Sequence, residues 1–201
     1  MRPHAERHFT VEDYFAIEES SPIRHEFYGG EIFAMAGASL RHNRIVGNVF
    51  AALRARLQTS ACEVFASDLR VRTPGGLYTY PDMLVVCGGV SLNAADRLDT
   101  VVNPTVLVEV LSESTKTYDR GSRFALYREL PTLREYLLIE QTQMLVEQFV
   151  NPAAAGDAAG DWPRRAYTNA AEQVELRSLG VALSLAEVYA RVEFESAGEW
   201  V

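Results

Sequence analysis

The sequence predicts an α/β domain built on a mixed sheet flanked by helices. Three observations carry that expectation. Apolar residues recur at helical spacing from Leu40 to Thr59, several short β-branched runs follow, and a second helical pattern from Asp119 to Glu129 interrupts the runs before more strands. The 201 residues suit a single domain, with a core over about 10–192, and 48% hydrophobic content is enough to bury that core without disulfides or a structural metal.

In chain order, Thr10 reads as the N-cap of a short helix that Ser20-Ser21-Pro22 ends. Glu26-Phe27-Tyr28 and Glu31 to Met35 flank Gly29-Gly30, a dipeptide suited to the positive backbone angles of a two-residue hairpin turn. The long helix follows, with Ile45, Val46, Val49, Phe50, Leu53 and Leu57 recurring at helical spacing and Arg44, Arg54 and Arg56 at other positions. Strands at 63–67 and 69–72 lead through the turn Thr73-Pro74-Gly75-Gly76 to a strand at Asp82, and 88–99 reads as loop. After the run Thr105 to Leu111, the helix at 119–129 places Asp119, Arg123, Leu126 and Tyr127 on one side. Strands at 135–139 and 144–150, an Ala/Gly/Asp/Pro loop at 151–163 and short strands at 165–167, 174–176 and 181–183 complete the series. A capping box, Ser184 with Glu187, then starts a last helix to about Val192.

Two of the apolar runs each carry one acid: Pro81-Asp82-Met83-Leu84-Val85-Val86 and Thr105-Val106-Leu107-Val108-Glu109-Val110-Leu111. A carboxylate among branched aliphatics in a buried sheet is costly unless a metal ion or a cation neutralises it. Immediately behind the second run, Ser112 to Arg123 packs hydroxyls, acids and cations together. Asp, Glu and a cation converging on one sheet edge is the requirement of metal-assisted phosphodiester hydrolysis, in which two carboxylates hold Mg²⁺ or Mn²⁺ and the cation offsets transition-state charge. The bland alternative is structural, with Asp82 and Glu109 in buried ion pairs with Arg70, Arg72 or Arg123. His42 reads first as a polar group of a first helical turn, with a direct site role as the alternative, and Tyr127 as a core residue with a bonded hydroxyl. Ser112 and Ser114 lack a histidine in triad-like context.

Composition narrows the classes further. Cys62 and Cys87 lie in separate apolar runs and read as two free buried thiols, which fits a reducing cytoplasm. Met1 to His8 lacks the apolar core of an export signal, and no run approaches the roughly 20 apolar residues of a membrane helix. A formal charge of −8 argues against non-specific nucleic-acid binding through a broad basic face, so any such contact must use a local patch. Lys116 is the only lysine in the chain, and it falls beside the proposed site.

Glu26 before Tyr28-Gly29-Gly30-Glu31, His42 opening the long helix, Pro81-Asp82, Glu109-Val110-Leu111-Ser112, then Thr115 and Asp119 to Tyr127 together resemble the Uma-two family of restriction-endonuclease-like proteins, within the PD-(D/E)xK nuclease superfamily. The resemblance runs from about Thr10 to Glu140, and the order and spacing of short motifs carry it. It implies a restriction-endonuclease-like core, with Asp82, Glu109 and Glu26 as metal ligands and DNA as substrate. At the superfamily's usual lysine place stands Leu111, and at the place where this family supplies a lysine from the next helix stands Arg123. An arginine stays protonated and cannot accept a proton. Arg123 or Lys116 is therefore the cation expected at the scissile phosphate. The rival expectation is a catalytically degenerate module of the same fold serving nucleic-acid binding or assembly, and a third is a site for a small phosphorylated ligand. Since cutting two strands commonly uses a symmetric pair, a homodimer is expected.

Overall fold

The computed structural model describes residues 8–35, 37–96, 98–155 and 160–194. The first seven residues of the stretch read for an export signal lie outside them, as do 156–159 of the loop after Asn151. Helix α1 (Val11–Ser20) starts at a complete capping box, in which the Thr10 hydroxyl accepts from the Asp13 amide and the Asp13 carboxylate accepts from the Thr10 amide. Strands β1 (His25–Tyr28) and β2 (Glu31–Ala34) form the expected hairpin, with Gly29 and Gly30 at φ of 59° and 85° in the turn. The long helix α2 (Leu40–Arg56) is capped by the Ser39 hydroxyl, which accepts from the His42 amide.

Strands β3 (Cys62–Ala66), β4 (Arg70–Arg72), β5 (Tyr78–Thr79), β6 (Met83–Cys87), β7 (Thr100–Val101) and β8 (Val106–Leu111) precede α3 (Lys116–Arg120) and α4 (Ser122–Tyr127). Then come β9 (Glu135–Glu140), β10 (Val146–Val150), a 3-10 turn at Pro152–Ala155, β11 (Arg164–Tyr167), β12 (Gln173–Leu176), β13 (Val181–Ser184) and α5 (Leu185–Val188). The α/β class and the mixed sheet are as expected: β8 and β9 pair in parallel, whereas β6 and β8 are antiparallel.

The strands are divided among two main sheets and a hairpin, with orders β2-β1-β5-β4-β7, β11-β10-β9-β8-β6-β3 and β12-β13. Short interruptions at 67–69 and 80–82 carry the chain from the six-stranded sheet into the five-stranded one and back. Asp82 stands in the second interruption, at the junction of the sheets.

One face of the larger sheet, with Met83, Val85, Val106, Val108 and Val110, packs under Ile45, Val49 and Leu53 of α2 and under the C-terminal hairpin and α5. The opposite face, with Leu84, Leu107, Leu111, Tyr136 and Leu138, packs under Phe124, Leu126 and Tyr127 of α4. Glu109 alternates with Val108 and Val110 and so faces the α4 side.

Three expectations are corrected. The helix read at 119–129 is two short helices that meet at Gly121, whose backbone angles of φ −109° and ψ −105° are not helical. The last helix ends at Val188. Cys62 and Cys87 are joined in a disulfide, not free. They are directly opposed in the antiparallel β3–β6 pair, with Cα atoms 4.0 Å apart. The thiol argument for a reducing compartment therefore falls away.

Candidate active site

Asp82 and Glu109 are brought together by strand register. One step beyond the Met83↔Val108 pair of β6 and β8, the Asp82 amide donates to Glu109 Oε2 at 3.3 Å. The Asp82 carboxylate turns back over β8, where Oδ2 accepts from the Val110 amide at 2.7 Å and from His42 Nε2 at 3.1 Å. Glu109 is buried, and its Oε1 accepts from the Tyr127 hydroxyl at 2.8 Å and from Arg123 at 3.4 Å.

Glu26 reaches the same cluster from the other sheet. It lies on β1, beside β5, and its Oε2 accepts from the Thr79 hydroxyl at 2.7 Å and from Arg123 at 2.6 Å, while Oε1 accepts from the Tyr118 hydroxyl. Asp119 on α3 completes the group, with Oδ1 2.7 Å from Arg123 Nη1. Four carboxylates, of Glu26, Asp82, Glu109 and Asp119, thus surround one guanidinium and one imidazole. Arg123 bonds three of the four, stacks over the Tyr118 ring at 4.7 Å, and has a buried Nε with no partner among the described residues.

The excess of acid shows in the protonation equilibria. Burial pushes Glu109 well above the usual carboxylate range; Asp82 and Asp119 add to the push, while Arg123 and the Tyr127 hydroxyl oppose it. Burial raises Asp119 as well, against the pull of Arg123 and a bond from Thr115. Burial also opposes the charge on Arg123, but Glu109, Tyr127, Glu26 and Asp119 outweigh it and hold the guanidinium protonated.

The structure unites Glu26, Asp82, Glu109 and Arg123. It does not bring in Lys116, whose ammonium pairs with Glu113 at 2.8 Å at an exposed site and touches none of the four acids. Nor do Arg70 and Arg72 pair with Asp82 or Glu109: Arg70 is buried among Phe15, Tyr80 and Thr100, and Arg72 lies over Tyr78. Of the ion pairs considered for the two central acids, only Glu109 to Arg123 forms. Asp119 is not among the site residues the sequence names, and for His42 a site role is only the alternative reading. The i, i+4 spacing of Asp119 and Arg123 was a usable signal for the first. The second depends on how α2 crosses the sheet.

The donor set suits a hard divalent cation, because it is all oxygen and carries more carboxylates than neighbouring cations can neutralise. Among the described residues no three His, Cys, Asp or Glu side chains stand ready around one point. Asp82 and Glu109 are accordingly the pair able to hold such an ion, with water and phosphate oxygens as the remaining ligands, as Mg²⁺ commonly binds. Both oxygens of Glu26 are already engaged by hydroxyl and guanidinium donors.

The model of the Uma2 family, described as "Putative restriction endonuclease", matches residues 11–186. Two Synechocystis proteins, each described only as uncharacterised, are similar. The protein slr1290 is 33% identical over 188 residues, 92% of this chain and 93% of its own length, and sll1609 is 36% identical over 141 residues, 70% and 79% respectively. A crystal structure from Anabaena variabilis, described as "a putative nuclease belonging to DUF820", superposes with a TM-score of 0.71 over 90% of this chain and 97% of its own, at 14% identity. That likeness is one of fold.

Proposed function

Because the chain belongs to the Uma2 family, we propose that it is a metal-dependent endonuclease that hydrolyses phosphodiester bonds of DNA. One observation carries the reading: Asp82, directly before β6, and Glu109, on the antiparallel neighbour β8, meet at the junction of two sheets within a cluster whose negative charge exceeds its positive charge. Asp82 and Glu109 would hold Mg²⁺ or Mn²⁺. When bound, such an ion polarises a phosphate and acidifies a coordinated water.

The residues of this chain set the geometry around that chemistry. The Tyr127 hydroxyl and Arg123 fix Glu109 Oε1, so Oε2 faces Asp82. Glu26 and Asp119 clamp Arg123 from two elements and keep its fixed positive charge beside the acids, where it stabilises added phosphate charge without taking a proton. The reading includes a homodimer acting on DNA in the cytoplasm. Among the described residues no helix is long and apolar enough to cross a membrane.

The test is cleavage of supercoiled and linear DNA in Mg²⁺ or Mn²⁺, with Glu109→Ala as the control and sedimentation velocity for the dimer. Metal-dependent cleavage lost in the control is expected. A second reading, a degenerate module of the same fold, is favoured by the engagement of Arg123 with three carboxylates, which leaves no lysine in the cluster. A preparation that binds the ion yet cuts neither DNA nor RNA would make that reading the better one.

A further inference from the structure

His42 sits at the third position of α2, and its side chain takes no part in capping the helix, since the Ser39 hydroxyl serves its backbone amide. The ring turns toward the sheet, with Nε2 3.1 Å from Asp82 Oδ2. Its other nitrogen, Nδ1, is buried without a partner among the described residues, so Asp82 is the ring's one polar attachment there. The start of the helix is itself tied to β8, the strand that carries Glu109. Ser39 Oγ bonds Gln141 Oε1 at 2.5 Å, and Gln141 Nε2 donates to the Leu111 carbonyl at 2.7 Å, two residues beyond Glu109.

Asp82 Oδ2 therefore meets two donors, the Val110 amide from β8 and the imidazole from α2, which approach from different elements. Two such bonds to one oxygen fix both the position and the rotation of a carboxylate, and they leave Oδ1 as the oxygen with free lone pairs among the described residues. We propose that His42 is a positioning residue for the cation site: by holding Oδ2 it makes Asp82 present Oδ1, beside Glu109, to a divalent ion. The inference rests on the reading of Asp82 and Glu109 as a metal pair, but not on which nucleic acid is cut. Partners of this kind orient ligating carboxylates and are typically worth about 10- to 100-fold in metal affinity.

The experiment measures Mn²⁺ affinity of the whole chain without DNA, by calorimetric titration and by the metal-induced rise in melting temperature, for wild type, His42→Ala, His42→Gln and His42→Asn. Folding in chelator is recorded alongside. Gln places an amide N–H where the imidazole Nε2–H lies, and Asn does not reach it. The expected result is a Mn²⁺ dissociation constant about 10- to 100-fold weaker in the Ala and Asn variants and close to wild type in the Gln variant. A melting temperature that falls in chelator with an unchanged Mn²⁺ constant would make His42 merely structural and overturn the proposal. Equal weakening in Gln and Ala would also overturn it, by making the ring a direct ligand. If wild type binds no Mn²⁺, the metal pair and this role fall together. If wild type binds Mn²⁺ and cuts nothing, the nuclease reading fails while the result for His42 stands.

Discussion

Glu109 holds a proton more tightly in the folded protein than in the unfolded chain, because it is buried beside two other acids. Between its ordinary value of 4.5 and the higher folded value, the folded state carries a proton that the unfolded state has released, so stability declines as pH rises through that window. Asp119 acts in the same direction. In chelator-treated protein, melting temperatures taken from about pH 5 to about pH 8 should therefore fall more steeply for wild type than for Glu109→Gln, which has no such proton to lose. Parallel curves would show that Glu109 is ionised at ordinary cost. Arg123 makes the complementary case, since its guanidinium is, among the described residues, the one bonded to Glu26, Glu109 and Asp119. Arg123→Met would leave three buried carboxylates without it and should cost about 3–5 kcal/mol in urea unfolding. A loss under about 1 kcal/mol would mean that protonation of the acids compensates. At this scale Asp82 and Glu109 were legible because an acid inside an aliphatic run is conspicuous. Lys116 was not, because spacing along the chain does not say that an ammonium three residues from Glu113 will turn outward to pair with it.

Among the elements, the hairpin, α1 and α2 were legible from local chemistry: a double glycine, an N-cap threonine and an apolar stripe. The disulfide was not. Cys62 and Cys87 belong to strands whose register is set only after the chain has left for β4 and β5 in the other sheet and returned, so nothing local announces that they face each other. Its consequence can be measured. The bond closes a loop of 25 residues between edge strand β3 and β6, the strand that follows Asp82 directly. Loop-closure entropy alone gives about 3–4 kcal/mol for that length. Reduction by dithiothreitol, or Cys62→Ser with Cys87→Ser, should lower unfolding stability by that order, as read from denaturant unfolding with midpoint and slope both fitted. An unchanged midpoint would mean that the β3–β6 pairing holds fully without the link.

At the scale of the whole molecule, the division into two sheets was hidden because a strand that leaves one sheet for another reads in sequence as two short strands of one sheet. That division is also what gives the site its form, since Glu26 and Thr79 come from one sheet and Asp82 and Glu109 from or beside the other. A chain of formal charge −8 that presents an acid cluster repels a polyanion, and only a bound cation reverses the sign of the local field. Association with DNA should therefore depend on the ion more than on a basic surface. With a non-cleavable phosphorothioate duplex and fluorescence anisotropy, Mg²⁺ should tighten binding at least about tenfold over chelator, a gain of about 1.4 kcal/mol, and Asp82→Asn should remove most of that gain. The same ion, present at about 100 times its dissociation constant, should stabilise the folded protein by about 2.7 kcal/mol through mass action, and this too should vanish in Asp82→Asn. Tight binding in chelator, with a steep loss of affinity as salt rises, would instead locate recognition in an arginine patch away from the acids and separate DNA binding from the site altogether.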